Sequence, residues 1–468
     1  MRTQTSLLSL DAKREVLDLA LERSRRAGRA TLIALGTLPV RQDLRERLLD
    51  APATPKLVWT ELSTGYRFLG LASAHGLRAL DAQTAWESPD DCRALLEAVI
   101  CAPEVRSGLR VFGGIAFDPA AAPYPAWPDG SPARFVLPRV LLRQVGAEAS
   151  LILTDWAQPE DTREDLIRRF EDLLRVVEDW VSVDSSRGFP RAWPVVPERA
   201  RERWTDMVTS ALHRVDEGAF TKIVLARDVP LRSEAPFPMG AVIRELEAIA
   251  TSGTVFGFQF EGDSAFVGAT PELLVSVTGD VVRSDCLAGT CRRTGDAQED
   301  DRLAWALLAD DKERREHEHV IAAVTEALAP LCRNFDVPET PTLMVLPTLQ
   351  HLHTPVSGLL REGVTLGSIL RRLHPTPAVG GTPRNTALEV ISELEVRPRG
   401  WYAGAIGWIG MEDASFSVGI RSAVLHAEGA VVFGGAGIVR GSDPAAEWDE
   451  TQRKAATLLD LLMRGTHE

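Results

Sequence analysis

The sequence has few cysteines, and none of them occur in the close pairs that bind zinc. Its five cysteines are odd in number and show no CxxC spacing: Cys92, Cys101, Cys286, Cys291 and Cys332. A disulfide framework and a zinc ribbon are therefore both disfavoured, and reduced thiols are typical of the cytoplasm. No apolar run approaches the roughly eighteen residues of a transmembrane helix, so no membrane span is predicted. Asp11 and Lys13 interrupt the first apolar stretch, which argues against a signal peptide.

The sequence also has fewer basic residues than acidic ones. The chain carries 52 Lys and Arg against 66 Asp and Glu, for a formal net charge of -14. No basic cluster offsets this balance, so a nucleic-acid partner is not expected. Hydrophobic residues make up 45% and charged residues 25% of the chain, proportions that are typical of an ordinary globular protein.

Lysine is scarce within the basic set. Only five of the 52 basic residues are lysine, namely Lys13, Lys56, Lys222, Lys312 and Lys454. A coding preference for arginine explains most of this bias. A lysine can lose its proton whereas an arginine effectively cannot. A retained lysine therefore indicates a position where the chemistry could require one.

Hydrophobic patterning predicts an α+β chain. Helical periodicity predicts helices at about 11–28, 162–181, 198–217, 239–250, 299–331 and from 444 onwards. Alternation predicts long strands, among them a hairpin that turns at Gly279 and Asp280. Such a mixture favours large, partly antiparallel sheets. The Ser- and Pro-rich segment 182–198 has the composition of a linker.

Carboxylates on two predicted helices form a candidate metal site. Glu447 and Glu450 lie three residues apart on the closing helix and share one face, which Lys454 extends by a turn. Glu316 lies on the long helix that precedes them. Carboxylates that converge from two helices suit a hard cation such as Mg²⁺. Taken alone, each run is more often a solvated helix face.

Four other residues have ordinary structural interpretations when each is taken alone. Glu272 follows a proline and is typical of a turn, and His351 is by default a structural histidine. Lys222 begins an apolar strand, where a solvated strand end is common. Arg421 lies within a predicted alternating strand, and a partly buried arginine usually indicates an ion pair or a bound anion.

A series of segments changes these interpretations because the segments occur together and in order. They are FTKIVLARDV, FVGATPELL, CLAGT, DKERREHEHV, LQHLHTP, LHPTPAVGGTPRNTAL, RGWYAGAIGW, VGIRSAVL, GAGIV and SDPAAEWDETQRK. Together they closely resemble the chorismate-binding enzymes, which include isochorismate, salicylate, anthranilate and aminodeoxychorismate synthases. The strong match covers roughly residues 198–462, and the earlier region matches mainly through RVFGGIAFDP and FVLPRVLL.

The resemblance implies one large α+β fold, with two large sheets packed around a buried active site and helices outside. Residues 1–197 would then be the N-terminal part of this fold and residues 198–468 its catalytic region. Segment 182–198 becomes an internal connection rather than a domain boundary. The resemblance also implies Mg²⁺, with Glu316 and Glu450 at the ligand positions and Glu447 close by. The implied partner is the small molecule chorismate, with no glutaminase subunit.

The resemblance assigns further residues to the substrate. Arg421 and Tyr402 match the residues that bind the carboxylates of chorismate, and Lys454 matches a lysine near a carboxylate. The backbones of Gly289, Thr290 and Gly435 match positions that lie against the substrate. The side chains of His351 and Ala378 are expected to line the pocket.

The branch within the family depends on single positions. Ala288 stands where aminodeoxychorismate synthases commonly carry a nucleophilic lysine, which disfavours covalent attack on the ring. The segment HPTPAVGGTPR differs from the usual anthranilate synthase pattern, and Ala378 replaces the threonine usual in salicylate synthases. The pattern therefore resembles isochorismate synthase most, an isomerase that serves menaquinone or siderophore biosynthesis. A salicylate synthase, an anthranilate synthase component I and a catalytically silent homologue remain the alternatives.

The resemblance also implies a mechanism. Lys222 matches the general base that activates water for attack at C2 of the chorismate ring, and it must act in its neutral form. Glu272 matches the general acid that protonates the departing C4 hydroxyl, so its pKa is expected to be raised. Cys291 departs from the family pattern, in which an arginine is common at this position.

Overall fold

The structure is a computed structural model that describes residues 13–36, 40–121, 130–182, 188–195, 198–345 and 349–466. Within these ranges, the side chains of Thr290, Lys312, Glu316, Leu349 and Thr466 lie outside the description.

Five of the described helices lie where the periodicity predicts them, near 11–28, 162–181, 198–217, 239–250 and from 444 onwards, and others lie in segments for which no helix is predicted. They are α1 (Arg14–Ala27), α2 (Leu44–Leu48), α3 (Ala82–Ala98), α4 (Pro103–Arg106), α5 (Arg163–Val181), α6 (Ala200–Asp216), α7 (Met239–Ile249), α8 (Ala297–Ala309), α9 (Asp311–Leu328), α10 (Leu366–Leu373), α11 (Arg384–Leu394) and α12 (Pro444–Leu462).

The described strands are spread over the whole chain. They are β1 (Thr31–Gly36), β2 (Lys56–Glu61), β3 (Tyr66–Arg78), β4 (Val111–Ile115), β5 (Ala133–Val145), β6 (Glu148–Ala157), β7 (Ala192–Pro194), β8 (Lys222–Ser233), β9 (Thr254–Glu261), β10 (Ser264–Thr270), β11 (Leu273–Thr278), β12 (Val281–Arg292), β13 (Cys332–Asp336), β14 (Thr342–Val345), β15 (Leu349–Leu360), β16 (Gly381–Thr382), β17 (Ala405–Ile409), β18 (Asp413–Val418), β19 (Ser422–His426) and β20 (Gly429–Val439).

These strands confirm the predicted α+β class with large antiparallel sheets. Every ladder between the described strands is antiparallel. The ladders run on from strand to strand, so the two expected sheets are joined into one hydrogen-bonded network of 20 strands. Strands from the two halves of the chain pair directly, β2 with β9 and β4 with β17. The predicted connection 182–198 contains β7, which pairs with β8.

Local sequence explains where the helices begin and end. The Thr162 side chain caps α5 by accepting a hydrogen bond from the Asp165 backbone, and the Asp165 carboxylate accepts one from the Thr162 backbone. The Asp443 carboxylate accepts hydrogen bonds from the backbone of Ala445 and Ala446 at the start of α12. Such a cap contributes about 1 kcal/mol to helix stability.

Two sequence predictions are wrong. The single long helix predicted for 299–331 is two helices, α8 and α9, because Asp310 between them has extended backbone (φ -75°, ψ 113°). The alternating pattern predicts Arg421 inside a strand, but Arg421 lies between β18 and β19, with a left-handed φ of 52°. A non-glycine residue in this region is strained, and such residues cluster at functional sites.

The buried apolar side chains form two clusters. One of them contains both Tyr402 and Phe433, whose side chains also reach the candidate site described below. Among the described residues, we find no helix with the length and apolarity needed to cross a membrane.

Candidate active site

Lys222 begins β8, as the sequence predicts, and lies between two neighbouring strands. It pairs with Val439 of β20 on one side and with Thr382 of β16 on the other. A Cβ atom added at Gly437 would lie 3.1 Å from Lys222 Cε and 3.8 Å from Nζ. The missing side chain at Gly437 therefore gives the lysine room to cross the face of β20.

Glu272 immediately precedes β11, and its carboxyl group is partly buried. Its carbonyl oxygen accepts a hydrogen bond from the Val418 backbone at 3.0 Å, and the Thr376 hydroxyl donates a long hydrogen bond to Oε1 at 3.5 Å. Burial raises the pKa of Glu272 from 4.5 to about 7, although Lys222 and Lys454 act in the opposite direction. The expected upward shift is confirmed, and desolvation is its main cause.

Helix α12, which packs on β20, brings further carboxylates and a lysine to this region. On α12, Lys454 Nζ lies 2.6 Å from Glu450 Oε1 and donates a hydrogen bond to the Gly435 carbonyl oxygen at 3.0 Å. Glu447 lies one turn before Glu450 on the same helix, as predicted. A Cβ atom at Gly434 would lie 2.6 Å from the Thr451 carbonyl oxygen, so this glycine allows α12 to pack closely on β20.

Tyr402 and Arg421 meet this group from the opposite side. The Tyr402 ring stacks on Phe433 at a centroid distance of 4.8 Å, and its hydroxyl would lie 2.8 Å from a Cβ atom at Gly435. The Arg421 guanidinium donates a hydrogen bond to the Lys454 carbonyl oxygen at 3.2 Å. Burial raises the pKa of Tyr402 to about 12 and lowers the pKa of Arg421. The phenol is therefore neutral and can donate a hydrogen bond to an anion.

Gly289 forms a β-bulge in β12 opposite His351 of β15. The register shifts between Ala288 and Thr290, and Gly289 has a φ of 70° that favours glycine. His351 hydrogen-bonds the Gly289 backbone, and burial with the nearby Arg421 lowers the pKa of this histidine to about 4. His351 is thus neutral near pH 7, and Gly289 and His351, which the resemblance assigns separately to the pocket, lie in contact.

The predicted metal ligands are only partly described. The backbone of Glu316 lies on α9, which packs against β12, but its side chain lies outside the described residues. The Thr290 side chain is likewise outside them. Among the side chains that the structure describes, no three His, Cys, Asp or Glu residues group as metal ligands. The donor chemistry of Glu447 and Glu450 suits Mg²⁺, since both offer carboxylate oxygens.

Sequence reasoning missed several neighbours of the site. Thr376 lies within the HPTPAVGG segment, where its hydroxyl faces Glu272 and its carbonyl oxygen accepts hydrogen bonds from the Val379 and Gly380 backbones at 3.1 and 2.9 Å. These two bonds close the turn that carries Ala378, which is partly buried. The position of Thr376 in the motif was the only available signal.

Two acidic residues were also missed. The Asp285 carboxylate lies 3.0 Å from His353 Nε2, and its charge helps to raise the pKa of Glu272. Glu313 of α9 lies beside the bulge, with Oε2 3.3 Å from a Cβ atom placed on Gly289. Glu313 lies inside the DKERREHEHV segment and Asp285 immediately precedes CLAGT, but their proximity to the site depends on packing between distant segments that no local pattern reveals.

Comparisons with known proteins give a consistent result. The sequence model of a family described as "Chorismate binding enzyme" matches residues 41–463. The chain is 33% identical to "Isochorismate synthase MenF" of Bacillus subtilis, over 76% of this chain and 75% of that protein. It is also 33% identical to "Salicylate biosynthesis isochorismate synthase" of Pseudomonas aeruginosa, over 88% of this chain and 86% of that protein.

Solved structures agree with these sequence matches. The structure of MenF, named the menaquinone-specific isochorismate synthase of Escherichia coli, superposes with a TM-score of 0.77 at 28% identity. That match covers 96% of this chain and all of the other. Anthranilate synthase component I of Streptococcus pneumoniae superposes with a TM-score of 0.66 at 21% identity, over 93% and 92% of the two chains, and so shares the fold.

Proposed function

Because this chain belongs to the family of chorismate-binding enzymes, we propose that it is an isochorismate synthase that interconverts chorismate and isochorismate. The observation that carries the proposal is Glu272, which accepts a hydrogen bond from the Thr376 hydroxyl and lies within the electrostatic influence of Lys222, with a pKa that burial raises to about 7. A carboxyl group that holds a proton near neutral pH, within the electrostatic influence of a lysine, provides an acid and a base for one reaction.

The two residues have complementary roles in the proposed reaction. Neutral Lys222 removes a proton from water as its oxygen bonds to C2 of the ring. Both ring double bonds shift, from C1=C2 to C1=C6 and from C5=C6 to C4=C5. The C4–O bond breaks as Glu272 donates its proton to the departing hydroxyl, which leaves as water. One water enters and one leaves, so the reaction is a reversible isomerisation. Removing one positioned acid or base typically lowers the rate by about 10²- to 10⁴-fold.

The substrate carries two carboxylates, and we propose that cationic and neutral donors of the site bind them. Arg421 and Tyr402 are the proposed carboxylate ligands, supported by the Arg421 contact with α12 and by the raised pKa of Tyr402. Lys454, which bridges Glu450 and Gly435, would hold the adjacent edge of the pocket. The backbones at Gly289, Thr290 and Gly435, with His351 and Ala378, would line the remainder.

We propose Mg²⁺ as the cofactor, with Glu316, Glu447 and Glu450 as its protein ligands. The carboxylate chemistry of Glu447 and Glu450, on one face of α12, supports this assignment. When bound, the cation would offset repulsion between these glutamates and a dianionic substrate. Glu450 would have to share its carboxylate between the cation and Lys454.

The proposal also concerns the cellular setting. We expect a cytoplasmic enzyme, since all five cysteines are free thiols. Water is the nucleophile, so no glutaminase subunit is needed to supply ammonia. The product would serve menaquinone or siderophore biosynthesis. The division into residues 1–197 and 198–468 stays a prediction.

The proposed function is tested with purified protein, chorismate and Mg²⁺, with products separated by chromatography. Isochorismate as the main product is the expected result, and added isochorismate should return chorismate. Salicylate with pyruvate as the main products would contradict the proposal in favour of a salicylate synthase. Unchanged chorismate would indicate a silent homologue, and ammonia-dependent anthranilate would indicate an anthranilate synthase.

A further inference from the structure

A buried ion pair lies directly behind the candidate site. Arg399 Nη2 and Glu395 Oε1 are 2.5 Å apart, and the two side chains are only 3% and 6% exposed. Glu395 follows the last residue of α11, and Arg399 opens the RGWY segment that contains Tyr402. Two charges removed so completely from water need several well-placed partners to be tolerated.

The partners of this pair come from two separate chain segments. Arg399 donates to the Val224 carbonyl oxygen of β8 and to the Val379 carbonyl oxygen, both at 2.7 Å. Glu395 Oε1 accepts a hydrogen bond from the Ala226 backbone of β8 at 2.8 Å. The guanidinium group therefore joins β8 to the turn that precedes β16, and the carboxylate holds β8 at a second point.

Both segments carry residues of the proposed reaction. Val224 is two residues after Lys222 in β8, and Val379 follows Ala378 in the turn that Thr376 begins. The ladder between the two segments, β8 with β16, is two residue pairs long, and the Val224 backbone also donates a hydrogen bond to the Gly380 carbonyl oxygen at 2.8 Å. Because these backbone contacts are few, the side chains of the ion pair contribute substantially to the relative position of the two segments.

The same arginine contacts two further parts of the pocket wall. Its carbonyl oxygen accepts a hydrogen bond from the Tyr402 backbone at 3.1 Å. Its guanidinium group lies over the Phe117 ring at 4.1 Å, a cation–π contact that closes the remaining side. The planar guanidinium thus has partners in its plane and on one face, an arrangement that a lysine cannot reproduce.

We propose that Arg399 and Glu395 are positioning residues for the reaction. They hold the strand that carries Lys222 in register with the turn that carries Thr376, the hydroxyl partner of Glu272. The base and the acid thereby keep the spacing that the substrate requires. This inference rests on the proposed function, because it assigns the pair a role in that reaction.

The test compares Arg399→Lys with a matched variant elsewhere. The lysine keeps the charge but loses the fork that holds two carbonyl oxygens and a carboxylate together. A displacement of about 1 Å costs as much as 10²-fold in rate. We therefore expect kcat for isochorismate formation to fall roughly 10- to 100-fold, while KM for chorismate changes less than about threefold. A purely structural role would leave kcat per folded molecule unchanged.

Arg45→Lys is the matched control. Arg45 Nη2 pairs with Glu247 Oε1 at 2.5 Å, with side chains 1% and 10% exposed, and it also binds the Thr60 hydroxyl. These residues belong to α2, α7 and β2, none of which carries a proposed site residue. Because the Arg45 pair resembles the Arg399 pair in geometry and burial, we expect Arg45→Lys to lower Tm as Arg399→Lys does. Because it lies away from the proposed site, we expect Arg45→Lys to leave kcat within about twofold of the wild type.

Glu395→Gln provides the second test. Its amide oxygen can still accept from the Ala226 backbone, but the charge partner of Arg399 is lost. We expect the same fall in kcat with little change in KM. All variants are assayed well below their Tm, with folded protein measured by circular dichroism.

Each outcome separates the two proposals. If the wild-type protein forms no isochorismate, the proposed function fails. If the wild type is active and Arg399→Lys and Glu395→Gln keep its kcat, or Arg45→Lys loses kcat equally, the positioning role is wrong. It is also wrong if both site variants fail to fold while Arg45→Lys folds, because the pair then supports the whole fold.

Discussion

Replacing Glu272 with glutamine should make the protein more stable and at the same time inactive. The substitution keeps the shape of the protonated carboxyl group but removes its proton donation and its charge. In the folded protein, burial raises the pKa of Glu272 from 4.5 to about 7. The wild-type chain therefore must ionise a poorly hydrated group when the pH rises through neutrality.

The size of the effect follows from that pKa. A group whose folded pKa lies above its unfolded value binds more protons when folded, so the free energy of unfolding falls as pH rises between the two values. The window here runs from 4.5 to about 7. At 1.36 kcal/mol per pKa unit, the loss approaches ~3 kcal/mol above this window. Glutamine avoids that loss. The free energy of unfolding of Glu272→Gln, measured relative to the wild type, should therefore be ~3 kcal/mol higher at pH 8 than at pH 4.5.

Urea unfolding of both proteins at pH 4.5 and pH 8 measures this difference directly. The exposed Glu339→Gln serves as the control for a lost carboxylate and should show no comparable dependence on pH. In parallel, isochorismate formation by Glu272→Gln should fall about 10²- to 10⁴-fold. An equal stability change at both pH values would refute the burial argument, and retained activity would remove Glu272 from the mechanism.

Three further predictions concern the other side of the pocket. Lys222→Arg should lower kcat about 10²- to 10⁴-fold while calorimetry still detects chorismate binding, because an arginine cannot act as a base; full activity would contradict the assignment. Gly435→Ala places a Cβ atom 2.8 Å from the Tyr402 hydroxyl; KM should rise, and an unchanged KM would show that Tyr402 does not bind substrate. Arg421→Lys should raise KM more than it lowers kcat, since a single ammonium group replaces a guanidinium group that can form two hydrogen bonds to a carboxylate; a larger effect on kcat than on KM in steady-state kinetics would show that Arg421 acts in the chemical step.

Local sequence predicted much of the fold correctly. The closing helix begins at Pro444, as predicted, because Asp443 caps it and proline suits a first helical position. The hairpin turns at Gly279, whose φ is 58°, as the Gly-Asp pair predicted. In these places a few neighbouring residues determine the conformation, so a reader of the chain can recognise it.

The two errors have different causes. Residues 310–319 contain no apolar side chain, so the apolar stripe of 299–331 is interrupted there. The backbone of Asp310 is extended, and its carboxylate accepts a hydrogen bond from the Glu313 backbone at 3.0 Å where the second helix begins. Around Arg421 the alternating pattern suggested a strand, whereas the arginine has a left-handed backbone and reaches the Lys454 carbonyl oxygen. The charged run that begins at Asp310 was therefore a local signal of the helix break, whereas the strained backbone of Arg421 has none in the nearby sequence.

In the candidate site, too, the sequence identified residues but not the contacts between distant segments. The ordered motifs identified Lys222, Glu272 and Tyr402 as residues to examine, because their types and order resemble one enzyme family. They did not reveal Thr376 beside Glu272, or the two contacts of Arg399 with β8 and the turn before β16. Those contacts join residues that are 104, 20 and 175 positions apart in the chain.

The sequence by itself determined which groups are available: one lysine at a strand start where an arginine could not serve, a glutamate before a hairpin, and carboxylates on one helix face. Only the tertiary structure decided what those groups can do. Burial, rather than residue type, raises the pKa of Glu272 to about 7 and lowers that of His351 to about 4. Desolvation depends on every neighbour in space, and those neighbours come from distant strands whose pairing no local pattern encodes.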